Sequence, residues 1–110
     1  MAYDKALAQR IRMFLATQAA FSERKMFGGV GFMLHGNMAC GVLDDRLIVR
    51  VGLDRYDQTL TLPHTDTFDS RGRPMKGWVT VSPPGYDSDD DLKDWLDRAV
   101  SFTTTLPPKA

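Results

Sequence analysis

Residues 26–43, MFGGVGFMLHGNMACGVL, set Gly28, Gly29, Gly31, Gly36 and Gly41 among Met, Phe, Val and Leu. A run of this kind has two readings, a phosphate-cradling loop or the alternation of a small sheet. A dinucleotide loop needs G-x-G-x-x-G between a strand and a helix, and a P-loop needs G-K-[ST] where a helix starts. Gly29-Val30-Gly31-Phe32-Met33-Leu34 lacks the third glycine and continues into alternating residues. No helix N-terminus follows to receive a phosphate. The run is therefore read as strand, with Gly28 and Gly29 bending or bulging it.

Turn chemistry sets a register for these strands. Gly36-Asn37 suits a two-residue hairpin turn, and Asp44-Asp45 suits a second. Two such turns place Gly31, Met33, His35, Met38, Cys40, Val42, Leu47, Val49 and Val51 on one face, which is apolar enough to be the core face. Gly41 then falls opposite Phe32. The other face carries Val30, Phe32, Leu34, Ala39, Gly41, Leu43, Arg46, Ile48 and Arg50. Val30, Phe32, Leu34 and Ile48 are expected to form an exposed apolar patch, a candidate partner or dimer surface. A two-fold homodimer would bury that patch.

The flanking segments supply helices. Leu7, Ile11, Phe14 and Leu15 recur at helical spacing in residues 4–20, with Asp4 as N-cap. Residues 54–62 form a shorter helix ended by Pro63. Thr65–Asp69 and Gly77–Ser82 read as strands joined by the turn residues SRGRP. Ser88 and Asp91 resemble a capping box ahead of Leu92, Trp95, Leu96, Ala99 and Val100. The expected fold is α+β: a two-layer domain with an antiparallel β-sheet, helices on one face, and the order α-β-β-β-α-β-β-α.

Composition bounds the setting. A chain of 110 residues holds one core, and residues 1–110 are expected to form a single domain. Fourteen basic and fourteen acidic residues cancel, so no net field drives the chain onto nucleic acid or an anionic membrane. The lone Cys40 forms no internal disulfide and fits a reducing compartment. The start of the chain has no signal-peptide pattern, and no segment approaches a membrane span. A cytoplasmic location without membrane association is expected.

Candidate chemistry is sparse. His35 and Cys40 share a predicted face as diagonal neighbours without an orienting third group, so Cys40 is read as a packing residue. Asp87, Asp89 and Asp91 imitate the start of a calcium loop, but Leu92 and Arg98 stand where Gly and Glu are required. No metal, cofactor or catalytic residue is expected. Arg71-Gly72-Arg73-Pro74 spells the core of an AT-hook, and Arg24, Lys25, Arg71, Arg73 and Lys76 are candidate anion or nucleic-acid contacts. So few charges give only weak, salt-sensitive affinity, and direct DNA binding is not the favoured reading. A small enzyme or ligand-binding domain, with a pocket lined by Met26, Met33 and Met38, is a further alternative.

Four strings go beyond these arguments: RKMFGGVGFML (24–34), GNMACGV (36–42), GRPMKGWVTV (72–81) and DLKDWLDRA (91–99). Together they closely resemble the N-terminal domain of the TfoX/Sxy family of bacterial competence regulators, over essentially the whole chain. The resemblance implies a two-layer domain of the order derived above. It also implies a non-catalytic part in transcription regulation, exercised through a protein partner such as the cyclic-AMP receptor protein. It carries over no catalytic residue.

Overall fold

In a computed structural model, which describes residues 3–26, 28–70 and 72–108, the chain folds as three helices and a six-stranded antiparallel sheet. Helix α1 (Lys5–Leu15) begins where the Asp4 carboxylate accepts the Leu7 N–H at 3.0 Å, and it buries Leu7, Ala8, Ile11 and Leu15. It stops five residues short of the predicted end. Strands β1 (Phe21–Met26), β2 (Gly29–Leu34), β3 (Asn37–Leu43) and β4 (Arg46–Arg50) follow as a meander. Helix α2 (Leu53–Thr59) leads to β5 (Thr65–Ser70) and β6 (Arg73–Val81).

The sheet order is β1-β2-β3-β4-β6-β5. Helix α3 (Asp89–Thr103) closes the chain, capped by Ser88 Oγ, which accepts the Asp91 N–H at 3.0 Å. The acidic first turn also suits the helix dipole. Its buried stripe is Leu92, Trp95, Leu96, Ala99 and Thr103, and each large apolar side chain removed from water contributes about 1.5–3 kcal/mol. Trp95 Nε1 donates to the Gly85 carbonyl at 3.1 Å, and the Tyr86 hydroxyl donates to the Asp45 carbonyl at 2.6 Å. These bonds tie the β6–α3 connection to the helix and to the β3–β4 turn.

The architecture matches the expectation with one strand added. β1 escapes the alternation test because it lies at the sheet edge. Phe21 reaches the core, stacking on Phe32 at 6.1 Å, while Ser22, Glu23, Arg24 and Lys25 are exposed.

The larger correction concerns the faces. The β3–β4 hairpin turns at Asp44-Asp45, pairing Leu43 with Arg46 and Cys40 with Val49 as predicted. The β2–β3 hairpin instead turns at His35-Gly36, both at positive φ (51° and 81°), the type I′ requirement. That shift alone would preserve the faces, since Met33, now opposite Met38, still shares a face with it. An irregularity then makes Ala39 an extra residue, so Phe32 pairs with Cys40 rather than with Gly41. β2 is thereby inverted relative to the predicted register. Val30, Phe32 and Leu34 point at the helices and are 4%, 0% and 2% exposed. With Cys40, Val42, Leu47, Val49, Val79 and Val81 they form the core, which α1, α2 and α3 cover from one side.

Candidate interaction surface

Directly opposed residues of an antiparallel ladder share a face. The pairs therefore define what the second face of the sheet displays. A middle row runs Arg24, Gly31, Gly41, Ile48, Thr80 and Asp66 across all six strands. On one side of it stand Ser22, Met33, Met38, Arg50 and Trp78; on the other stand Gly29, Leu43 and Arg46. Met33 and Ile48 are buried yet lie outside the core cluster, which confirms that their shelter comes from neighbours on this second face. Met38 supplies part of it: its Cε would stand 2.9 Å from a Cβ built on Gly41. Of the four residues predicted to form a dimer patch, only Ile48 is on this face.

One end of the face holds a stack that the sequence reading missed. The Arg50 guanidinium lies 5.0 Å from the Trp78 ring centroid and 5.5 Å from that of Phe102. Trp78 meets Phe68 at 6.2 Å, and Phe102 presses on Gly52, where a Cβ would overlap the ring. Gly52 (φ 86°, ψ 162°) has a conformation open essentially to glycine alone. The Gly77 carbonyl accepts the N–H groups of both Val51 and Gly52, at 2.8 and 3.1 Å. Arg50 thus joins β4, β6 and the end of α3. Its Nη1 donates to the Met38 carbonyl at 3.3 Å, and partial burial lowers its pKa. Gly52 was the available signal, but the ring that presses on it comes from fifty residues away.

The basic candidates do not converge. Arg73 and Lys76 are exposed on the β5–β6 hairpin, whereas Arg71 lies outside the described residues. Arg24 and Lys25 belong to β1, four strands from β6 and therefore about 19 Å across the sheet. They also point to opposite faces, because Arg24 pairs with Gly31 and Lys25 with Val30.

Residues 13–103 match the TfoX N-terminal domain family, a span from within α1 to the last residue of α3. The chain belongs to that family. No curated protein matches the sequence.

In this TfoX N-terminal domain the other reactive or hollow places are accounted for by packing. Cys40 is fully buried, and desolvation pushes its thiol up to about 12, so the nucleophilic thiolate does not form near neutral pH. His35 is exposed at the hairpin turn. Among the described residues no three His, Cys, Asp or Glu side chains are grouped to hold a metal ion. No helix there is long and apolar enough to cross a membrane. A cleft of about 370 Å³ opens beside Gly52, between the start of α2 and Ser101, Phe102 and Thr105 of the C-terminal segment. Met33 and Met38 do not line it.

Proposed function

We propose that this domain is a regulatory module that works by contact with a protein partner, and that the second face of its sheet makes the contact. Membership of the TfoX N-terminal domain family supports the regulatory role. One observation carries the rest. All three helices pack on one face of the sheet, yet the other face carries half-buried Met38, Leu43 and Trp78 beside the buried Met33 and Ile48. A sheet face meant only for water alternates to polar residues instead. The family resemblance makes a transcription regulator such as the cyclic-AMP receptor protein the first partner to try.

A photo-crosslinking amino acid tests this reading at Leu43, half-buried on that face, and at Lys93, exposed on α3. Irradiation with the purified cyclic-AMP receptor protein, and separately in cells, is expected to give protein adducts from position 43 and not from 93. Equal labelling from the two positions, or none from 43, refutes the assignment of the face.

A further inference from the structure

β1 ends the sheet, and among the described residues no strand lies beyond it. It runs without proline or bulge, and Ser22 to Lys25 along it are exposed. One bond shows which of its backbone groups point outward. The His35 N–H donates to the Ala20 carbonyl at 3.1 Å, one step beyond the pair of Phe21 with Leu34. Bonded and non-bonded pairs alternate along an antiparallel ladder, so the backbones of Ser22 and Arg24 bond to β2. Phe21, Glu23 and Lys25 therefore turn their N–H and C=O groups away from the sheet. They oppose Leu34, Phe32 and Val30, which puts their side chains on the helix side.

A second copy of β1, antiparallel about a two-fold axis perpendicular to the sheet, meets these groups. Directly opposed residues share a face, so the axis must set one residue against its own counterpart. Placed at Glu23, it pairs Phe21 with the second copy's Lys25, Glu23 with Glu23 and Lys25 with Phe21. Each pair exchanges both of its backbone bonds, giving about six in all. An axis at Ser22 or Arg24 gives only about four, and the Arg24 axis sets two guanidinium side chains directly opposite each other.

The side chains suit the Glu23 axis. Each Glu23 carboxylate is held by Arg12 of α1, whose Nε donates at 2.7 Å and Nη2 at 3.3 Å. The second copy's Lys25 stands diagonally across, within reach of a long side chain. The two carboxylates at the axis are thus set among two Arg12 and two Lys25 side chains. The lysine stem lies opposite Phe21, whose ring already stacks on Phe32. Charges on an edge strand discourage pairing in general; the order of these favours one register.

We infer that two copies of this chain join through β1, antiparallel about Glu23, into one continuous sheet of twice six strands. The axis puts both helix layers on one side and both second faces on the other. The dimer therefore goes beyond the proposed partner contact and leaves that surface in place.

The test uses the full chain. An interface of one strand per copy is small, so sedimentation velocity is expected to show a mass rising from 12.3 kDa toward twice that value, and no further, between about 10 µM and 1 mM. Proline tests the backbone. In Glu23→Pro and Lys25→Pro the N–H removed faces outward, so both variants are expected to fold and to stay at 12.3 kDa. In Arg24→Pro the N–H removed bonds to β2, and a lower melting temperature is expected.

Cysteine tests the register. Glu23→Cys sets two Cα atoms about 5.5 Å apart across the axis, within disulfide reach, whereas Lys25→Cys separates them by about 13 Å along the strand. Mild oxidation is expected to link Glu23→Cys at least about tenfold faster than Lys25→Cys. Cys40 is buried and takes no part. A constant 12.3 kDa, or a mass that climbs past twice that value, overturns the inference. So do outward-facing proline variants that unfold, or that fold and still dimerise, and equal linking from the two cysteines.

Discussion

Replacing Gly52 by alanine tests the stack at the end of the sheet through its tightest point. Two penalties arise. At φ 86° and ψ 162° an L-residue is strained by about 1–3 kcal/mol. The new methyl would also occupy the position of the Phe102 ring, which must move away from Arg50. Loss of that cation–π contact costs about 0.5–1 kcal/mol. The sum, about 2–4 kcal/mol, corresponds to a fall in melting temperature of roughly 10–20 °C for a domain of this size.

Urea unfolding of Gly52→Ala, Phe102→Ala and the double variant separates the parts. With the ring removed, the alanine is expected to cost only the backbone strain, so the two changes should couple by about 1 kcal/mol. Trp78, against the other side of Arg50, should change its emission in Gly52→Ala as the stack loosens. A Gly52→Ala protein within about 0.5 kcal/mol of wild type, or an identical penalty in the Phe102→Ala background, would refute the reasoning.

Two other expectations follow from the core. Phe32→Ala should cost about 3–5 kcal/mol, because the ring is fully buried against Phe21; a loss under about 1 kcal/mol in urea unfolding would return Phe32 to the solvent face. The Cys40 thiol, raised to about 12 in the folded chain, titrates near 8.5 when unfolded, so stability present below that pH is lost as pH rises toward 12. Tyr86, also raised to about 12, adds a decline that begins near 10. A pH series of urea midpoints should therefore fall from about pH 8.5 in wild type but only from about 10 in Cys40→Ala; matching curves would disprove the thiol's part.

What could be read in the sequence depended on how local its cause was. α3 was legible because Ser88, the acidic first turn and the stripe from Leu92 to Val100 lie within one segment. The β3–β4 hairpin was legible because its two-residue turn has no irregularity beside it, with Asp44 taking positive φ. β2 was placed on the wrong face because nothing in Met38-Ala39-Cys40 announces an extra residue, and the inverted face was as apolar as the true one. β1 was hidden by its edge position, where Ser22 to Lys25 satisfy backbone pairing without burying side chains. The family was readable from strings such as RKMFGG and GRPMKGW, but the make-up of the second face was not. Its residues come from six strands, and only the pairing brings them into rows.

The ends of the sheet have a bearing on how such a chain behaves at high concentration. An unclosed sheet offers a free strand on each side, a template on which further strands can grow. β1 carries Arg24 and Lys25 and β5 carries Asp66 and Asp69, so head-to-tail addition of copies would be attractive by charge and could continue without closing. The irregularity between Thr67 and Asp69 breaks the straight run of β5, leaving Thr65 to Thr67 as the uninterrupted part of that edge. Three residues are a poor seed for a growing ribbon, so the kink that interrupts this strand also blunts that edge as a template.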